Sequence, residues 1–93
     1  MQVMSALSQP TRLDVFTRLV SALPDGMAAG DLAAASNAAP SAMSAHLAIL
    51  SRAGLVGSTK AGRSIVYRAM IEPVTELRDF LDQACRTTGK AGR

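Results

Sequence analysis

The stretch from Asp31 to Ala69 decides the fold and reads DLAAASNAAPSAMSAHLAILSRAGLVGSTKAGRSIVYRA. Its alanine-rich start predicts a short helix, because alanine has the highest helix propensity. Asn37 tolerates the left-handed conformation that a tight turn between helices often requires. A longer helix is expected to begin near Pro40 and to end at Gly54. The first half of the stretch therefore predicts a helix-turn-helix.

The second half of the stretch predicts a two-stranded β-hairpin, or wing. Leu55–Lys60 and Arg63–Arg68 are the two strands, and Ala61-Gly62 is the turn between them. Since an isolated hairpin is only marginally stable, Ile65 and Tyr67 are expected to pack on the helices.

Charge is segregated along the chain. From Leu32 to Ile71 there is no Asp or Glu, and the positive side chains of this block are Arg52, Lys60, Arg63 and Arg68. All seven acidic residues lie outside the block, in a chain whose net charge is +3. A long basic segment without acids predicts a polyanionic partner.

The longer helix has two different faces. Met43, Leu47 and Leu50 fall at i, i+4 and i+7 and form an inward stripe. The opposite face carries only small residues: Ser41, Ala42, Ser44, Ala45, Ala48 and Ser51. Ordinary surface helices usually carry Lys and Glu, so this face favours entry into a DNA groove, where small residues permit close approach. Ala39 is a poor N-cap, which leaves N–H groups that could bind a phosphate.

Lys60 and Arg63 stand beside the predicted hairpin turn. They have two interpretations: they keep an exposed strand edge soluble, or they reach phosphates or a minor groove. The segregated charge favours the second.

The remaining segments predict a mainly α fold around the small hairpin. Residues 1–7 form a short apolar helix, and a second helix from Pro10 to Leu23 has a stripe of Leu13, Phe16, Leu19, Val20 and Leu23. The last helix opens at Pro73 and has a longer apolar stripe than so small a core needs. The first and last helices are therefore predicted to form a homodimer interface, with Val3, Met4, Leu7, Val74, Leu77, Leu81 and Ala84.

Length and composition limit the class of protein. The 93 residues predict one domain, residues 1–87, with a flexible basic tail at 88–93. A single cysteine suggests a reducing compartment. No segment is predicted to span a membrane and no signal peptide is evident, so a cytoplasmic location is expected. With no Trp, one Tyr and two Phe, single-strand stacking is disfavoured and duplex DNA is the expected partner.

Four motifs in this order resemble the ArsR/SmtB family of bacterial winged-helix repressors. They are ALSQPTRL at residues 6–13, SAMSAHLAIL at 41–50, AGLV at 53–56, and GR at 62–63 with YR at 67–68. The resemblance covers about residues 6–70. It implies a homodimer that binds an imperfect palindromic operator, represses its own operon and is released by an inducer. It also implies that Ser41, Ala42, Ser44 and Ala45 face DNA and that Lys60 and Arg63 lie on the wing.

This sequence departs from the family at several functional positions. Pro40 and Ala45 stand where many members have long polar residues, so more dependence on phosphates and DNA shape is expected. Where some members carry a Cys-x-Cys-Asp-Leu metal site, residues 28–32 read AAGDL, and the last helix has no His through residue 85. No metal site and no cofactor are therefore predicted.

Two single residues keep more than one interpretation. Cys85 is a small apolar residue at the dimer seam, a thiol sensor of oxidants, or the remnant of a metalloid site. His46 has no Cys, Asp or Glu within eight residues. It packs between helices or binds a phosphate, and with Pro40 it completes the predicted DNA-binding set.

The leading hypothesis is a dimeric DNA-binding transcriptional repressor. The alternative is a winged helix that serves protein interaction without a specific operator. An enzyme is excluded, because the only His and the only Cys have no paired carboxylates near them and no catalytic residues can be assigned.

Overall fold

The chain folds into five helices and a small antiparallel sheet. A computed structural model describes residues 2–91, with side chains for residues 2–86. In chain order the elements are α1 (Gln2–Leu7), α2 (Pro10–Ser21), β1 (Met27–Ala28), α3 (Ala29–Ala35), α4 (Pro40–Arg52), β2 (Val56–Ala61), β3 (Ser64–Ala69) and α5 (Glu72–Ala91). This confirms the predicted mainly α fold with a helix-turn-helix and a hairpin.

The sheet has three strands, although the sequence predicted two. Its order is β1-β3-β2, and β1 adds to the hairpin through the pairs Met27 with Tyr67 and Ala28 with Val66. Gly26 precedes β1 at a φ of +84°, and an added Cβ there would lie 2.4 Å from the carbonyl oxygen of Tyr67. Only glycine lets the chain approach β3 this closely.

The hairpin turn differs by one residue from the prediction. Strands β2 and β3 pair from Val56 with Ala69 to Ala61 with Ser64, so the turn is Gly62-Arg63 and not Ala61-Gly62. Gly62 adopts a φ of +63° there, which glycine permits without steric cost. The shift places Arg63 in the turn itself.

The core lies where α2, α3 and α4 meet the sheet. Its fully buried side chains include Val15, Leu19, Leu32, Met43, Leu47, Leu50 and Leu55. Tyr67 packs against this core, as predicted. Ile65 does not, since it is 48% exposed.

The predicted stripe of α2 was only partly correct. Phe16 and Leu19 are buried, but Leu13, Val20 and Leu23 are exposed, and Val15 takes their place in the core. Helix α2 packs against α1, α4 and β3. Those neighbours turn the Val15 side inward.

Helix α5 extends away from this core. The protein measures 54 × 23 × 20 Å, and a 20-residue helix is about 30 Å long. Val74, in its first turns, packs against the core. The helix continues to Ala91, into the predicted tail, while Gly92 and Arg93 lie outside the described residues. None of the described helices combines the length and the apolar character needed to cross a membrane.

Candidate DNA interface

The turn between α3 and α4 is closed by backbone hydrogen bonds. Beyond the last turn of α3, Ala38 N–H donates to the Ala33 carbonyl at 2.9 Å and Asn37 N–H donates to the Ala34 carbonyl at 3.3 Å. Asn37 adopts a φ of +52°, as expected. This pair of bonds forms a Schellman cap, which sets the direction in which the chain enters α4.

Helix α4 ends in the same way. Leu55 N–H donates to the Leu50 carbonyl at 2.9 Å, Gly54 N–H donates to the Ser51 carbonyl at 3.0 Å, and Gly54 has a φ of +75°. Leu50 and Leu55 are both completely buried, so the apolar contact that accompanies a Schellman cap is present. Both ends of α4 are therefore held by the fold.

The two faces of α4 agree with the prediction. Met43, Leu47 and Leu50 are at most 2% exposed. The small residues of the opposite face are all exposed: Ser41, Ala42, Ser44, Ala45, Ala48 and Ser51. Pro40 is also exposed and opens the helix, and Ala39 at the N-cap supplies no side-chain hydrogen bond. Helix α4 thus presents a narrow, uncharged ridge.

The wing and helix α4 border one cleft of about 350 Å³. Ser44 of α4 and Arg63 of the wing both line it. The other lining residues are Ala28, Ala29, Gly30, Ser64, Ile65 and Tyr67, none of them acidic. Sequence reasoning missed Ser64, Ile65 and Tyr67 here. The period of two along β3 was a signal that could have placed Ile65 and Tyr67 on one face, whereas nothing in the sequence indicated Ser64.

The cations of the basic block have different partners. Arg68 donates to the Pro24 carbonyl at 3.0 Å and to Thr59 Oγ1 at 2.9 Å, so it holds the wing to the turn after α2. The side chains of Lys60 and Arg63 are exposed and have no ion pair or hydrogen bond within the described part of the chain. Unpaired cations remain available for an external anion.

Arg12 of α2 and His46 in the middle of α4 lie next to each other. Arg12 Nε donates to the Ala6 carbonyl at 2.7 Å, and its Nη1 lies 3.5 Å from His46 Nδ1. Because arginine only donates, Nδ1 must accept, and the proton of a neutral His46 is then on Nε2. His46 is partly buried, and its partner on this side belongs to α2.

Asp14 is held by two side chains and does not line the cleft between α4 and the wing. Asp14 accepts from Arg18 Nε at 2.9 Å and from Ser36 Oγ at 3.2 Å. The hydrogen bond from Arg18 is the largest influence and lowers the pKa of the Asp14 carboxyl. Burial opposes it, and the hydrogen bond from Ser36 and the charge of Arg18 lower the pKa further. The carboxylate therefore joins α2 to the residue that ends α3.

The described side chains form no cluster of metal-binding type. Among the side chains of residues 2–86, no group of three or more His, Cys, Asp or Glu is placed to hold a metal ion. Cys85 is a free, exposed thiol on α5.

The predicted dimer residues lie on α1 and α5. Val3, Leu7, Val74 and Leu77 are partly buried, whereas Met4, Leu81 and Ala84 are exposed. Phe80, which the predicted set left out, is 67% exposed. The apolar surface of α5 is thus wider than the sequence stripe.

Comparisons with known proteins agree with this geometry. A family profile described as a helix-turn-helix domain matches residues 7–58. No curated protein matches the chain. Among solved structures, a possible transcriptional regulator for arsenical resistance is 32% identical with a TM-score of 0.77, and covers 91% of this chain and 85% of its own.

Two further structures are similar. An ArsR-like transcriptional regulator from Rhodococcus sp. RHA1 is 30% identical with a TM-score of 0.82, over 97% of this chain and 82% of its own. The homodimeric winged helix-turn-helix DNA-binding domain of a possible ArsR-family regulator from Mycobacterium bovis has a TM-score of 0.71 at 24% identity, over 97% of this chain and 81% of its own. The helix-turn-helix profile and the first two structures together show that this chain belongs to the ArsR family of winged helix-turn-helix transcriptional regulators, a family of DNA-binding regulators and not of enzymes.

Proposed function

We propose that the protein is a homodimeric repressor that binds an imperfect palindromic operator with helix α4 in the major groove. The observation that supports this most strongly is the cleft shared by Ser44 and Arg63. In this cleft, Ser44 from the small-residue ridge of α4 and the unpaired Arg63 of the wing line the same surface, and none of the lining residues is acidic. A serine hydroxyl can bond to a base edge or a phosphate, and an arginine guanidinium can bind a phosphate.

The DNA contacts in this proposal divide by their chemistry. Pro40, Ser41, Ala42, Ser44 and Ala45 form the ridge, and none has a long polar side chain. Few base-specific hydrogen bonds are therefore available, and much of the discrimination would come from phosphate contacts and DNA shape. Lys60 and Arg63 would supply the phosphate contacts of the wing, while His46 would add a donor through its second ring nitrogen.

The dimer in this proposal uses α1 and α5. Phe80 and Leu81 are 67% and 44% exposed on α5, and Met4 is 50% exposed on α1. Large exposed apolar side chains on both helices favour a protein–protein interface. The related domain from Mycobacterium bovis is described as homodimeric. Two α4 helices in such a dimer would read half-sites about one DNA turn apart, roughly 34–36 Å.

The test is a fluorescence-anisotropy titration onto duplex DNA from the region upstream of the protein's own gene, with a scrambled duplex as control, near physiological salt. We expect the native duplex to bind about 10³-fold or more tightly than the scrambled one. Disrupting one half-site should then weaken binding strongly. Equal and weak binding to both duplexes would contradict the proposal and favour a protein-interaction module.

Repression and release need a second measurement. A reporter gene placed behind the bound operator should be transcribed less when the protein is present. Higher transcription would mean that the protein is an activator. We propose that the protein acts in the cytoplasm, and that its inducer is not a metal ion bound at the thiol or histidine sites of its relatives, since residues 28–32 read AAGDL.

A further inference from the structure

A second cleft lies between α1 and the C-terminal end of α4, separate from the proposed DNA surface. Its volume is about 240 Å³, and it is lined by Gln2, Ser5, Ala6, Ile49, Arg52 and Ala53. None of these residues belongs to the proposed DNA-binding or dimer sets. Neither the proposed DNA surface nor the proposed dimer interface therefore accounts for this cleft.

The lining has an apolar floor and one charged group. Ala6 is 2% exposed, and Ile49 and Ala53 are partly buried. Gln2 and Ser5 are exposed polar residues of α1. Among the described residues that line the cleft, Arg52 is the one with a charged side chain. Small-molecule sites commonly combine apolar walls with a few polar groups that fix the ligand's orientation.

The side chain of Arg52 has no ion pair or hydrogen bond in the described part of the chain. Its neighbours in sequence supply no acid, because residues 32–71 contain no Asp or Glu. A guanidinium presents two parallel N–H donors that match a carboxylate. A single cation beside an apolar floor fits one carboxylate attached to an apolar body better than it fits a multiply charged anion.

We propose that this cleft binds a small monocarboxylic acid, with its carboxylate on Arg52 and its apolar body over Ala6, Ile49 and Ala53. The volume of 240 Å³ is below the roughly 300–1,000 Å³ of drug-sized sites and above the roughly 150 Å³ of an apolar cavity that holds benzene. The ligand is thus about the size of one substituted ring or a short alkyl chain.

A second copy of the chain fits this cleft less well. Gln2, Ser5 and Ala6 lie on one face of α1, at steps of three and four residues. Met4 is two residues from both Gln2 and Ala6, which places it about 200° around the helix. A partner helix that covers Met4 would therefore leave the cleft open.

The position of the cleft gives its ligand a regulatory role that rests on the proposed function. One wall belongs to α1, a proposed dimer helix, and the other to α4, the proposed recognition helix. A ligand that binds the two walls in only one of their relative positions shifts the protein toward that position, and so changes its affinity for DNA. Binding itself can be measured without DNA, so failure of this proposal is distinguishable from failure of the proposed function.

The experiment uses the full chain and four probes: benzoate, hexanoate and their neutral amides, benzamide and hexanamide. Thermal unfolding is followed at increasing probe concentration, and affinity is measured by calorimetry. A carboxylate at ten times its Kd should raise Tm by about 5–10 °C for a domain of this size. The amides, which are similar in shape but uncharged, should bind at least tenfold more weakly.

Three variants locate the site. Arg52→Gln should weaken carboxylate binding at least tenfold. Arg63→Gln removes the same charge from the wing and should leave it unchanged. Ser5→Phe fills the cleft from the exposed side of α1 while Arg52 stays in place, and it should also abolish binding. Circular dichroism of each variant checks that the fold is retained.

Several results would overturn the proposal. Equal binding of acids and amides would mean that the carboxylate charge does not contribute to affinity. Unchanged binding of the acids by Arg52→Gln would mean that Arg52 does not contact them. Unchanged binding by Ser5→Phe would mean that the acids pair with an exposed arginine outside the cleft. No binding by any probe, together with weaker self-association of Ser5→Phe, would assign the cleft to a second copy of the chain.

Discussion

Replacing Arg63 by alanine tests the proposed wing contact directly. Arg63 lies in the hairpin turn, lines the cleft shared with Ser44, and has no partner among the described residues. Its removal should therefore leave the fold intact. If the guanidinium binds a phosphate, the variant should bind all duplexes more weakly and with a weaker dependence on salt.

The size of the effect follows from counterion release. Each phosphate that a protein cation neutralises contributes about −0.9 to the slope of log K against log salt. A dimer that uses Lys60 and Arg63 on each wing makes four such contacts, which gives a slope of about −3.6. Arg63→Ala removes two contacts and should leave about −1.8. At 0.15 M salt the lost slope of about 1.8 corresponds to roughly 30-fold weaker binding.

The measurement is anisotropy titration at several salt concentrations, with wild type, Arg63→Ala and Arg18→Ala in parallel. Arg18→Ala is the matched control, because Arg18 carries the same charge but is paired with Asp14 at 2.9 Å. Its slope should equal that of wild type. Equal losses in both variants would mean that only net charge matters. A loss confined to duplexes altered at one base pair would mean that Arg63 reads sequence.

Four further predictions concern stability, pH, assembly and the thiol. Gly54→Ala should lower the free energy of unfolding by about 1–2 kcal/mol, because the φ of Gly54 is +75°. Gly30→Ala in helix α3 should raise the free energy of unfolding by about 0.5–1 kcal/mol, because alanine favours a helix more than glycine does. Urea unfolding in which both variants shift in the same direction would contradict this. Asp14→Asn should cost about 0.3–0.5 kcal/mol at neutral pH. The pKa of Asp14 in the folded protein lies below the ordinary value of 3.8. The stabilisation by the Asp14 carboxylate is therefore complete above pH 3.8 and is lost as pH falls through the folded pKa. A difference in stability between wild type and Asp14→Asn that persists at pH 2 would contradict this. Leu81→Glu should raise the dimer dissociation constant about 10-fold or more. Leu81 is 44% exposed in the protomer, so each protomer loses about 0.7–1.3 kcal/mol of the burial gained on dimerisation. An unchanged sedimentation profile would place the interface elsewhere. Cys85→Ser should leave operator affinity unchanged under reducing conditions, and a large loss there would assign the thiol a role in the interface.

Local signals in the sequence predicted the helix-turn-helix well. Asn37 and Gly54 stand at the two left-handed positions that end α3 and α4, and few other residues tolerate that conformation. The inward stripe of α4 was also correct, because Met43, Leu47 and Leu50 repeat at helical spacing. Such features depend on neighbours within about one helical turn.

Strand β1 shows where local signals end. It consists only of Met27 and Ala28, too few residues for any periodicity. It is a strand because Gly26 lets the chain approach Tyr67 and pair with β3. The partner is about 40 residues further along the chain, and the pairing exists only once both segments have folded.

Helix α2 shows the same limit for the core. Its sequence has apolar residues on more than one face, so the spacing allowed Leu13 and Val20 as well as Val15. The tertiary structure selected Val15, because α1, α4 and β3 pack on that side. Periodicity predicts that a helix has an apolar face, but a helix with several candidates is oriented by its neighbours.

The sequence by itself determined the features from which the DNA surface is proposed: a small-residue helix, a basic hairpin and a block without acids. Their types and order are local properties, and they were sufficient to predict the family. Only the tertiary structure decided which cations remain available. Arg68 is held by Pro24 and Thr59 and Arg12 by Ala6, while Arg63 is free beside Ser44. The residue type gives each side chain its charge, whereas its hydrogen-bond partner depends on which groups folding brings within hydrogen-bond distance.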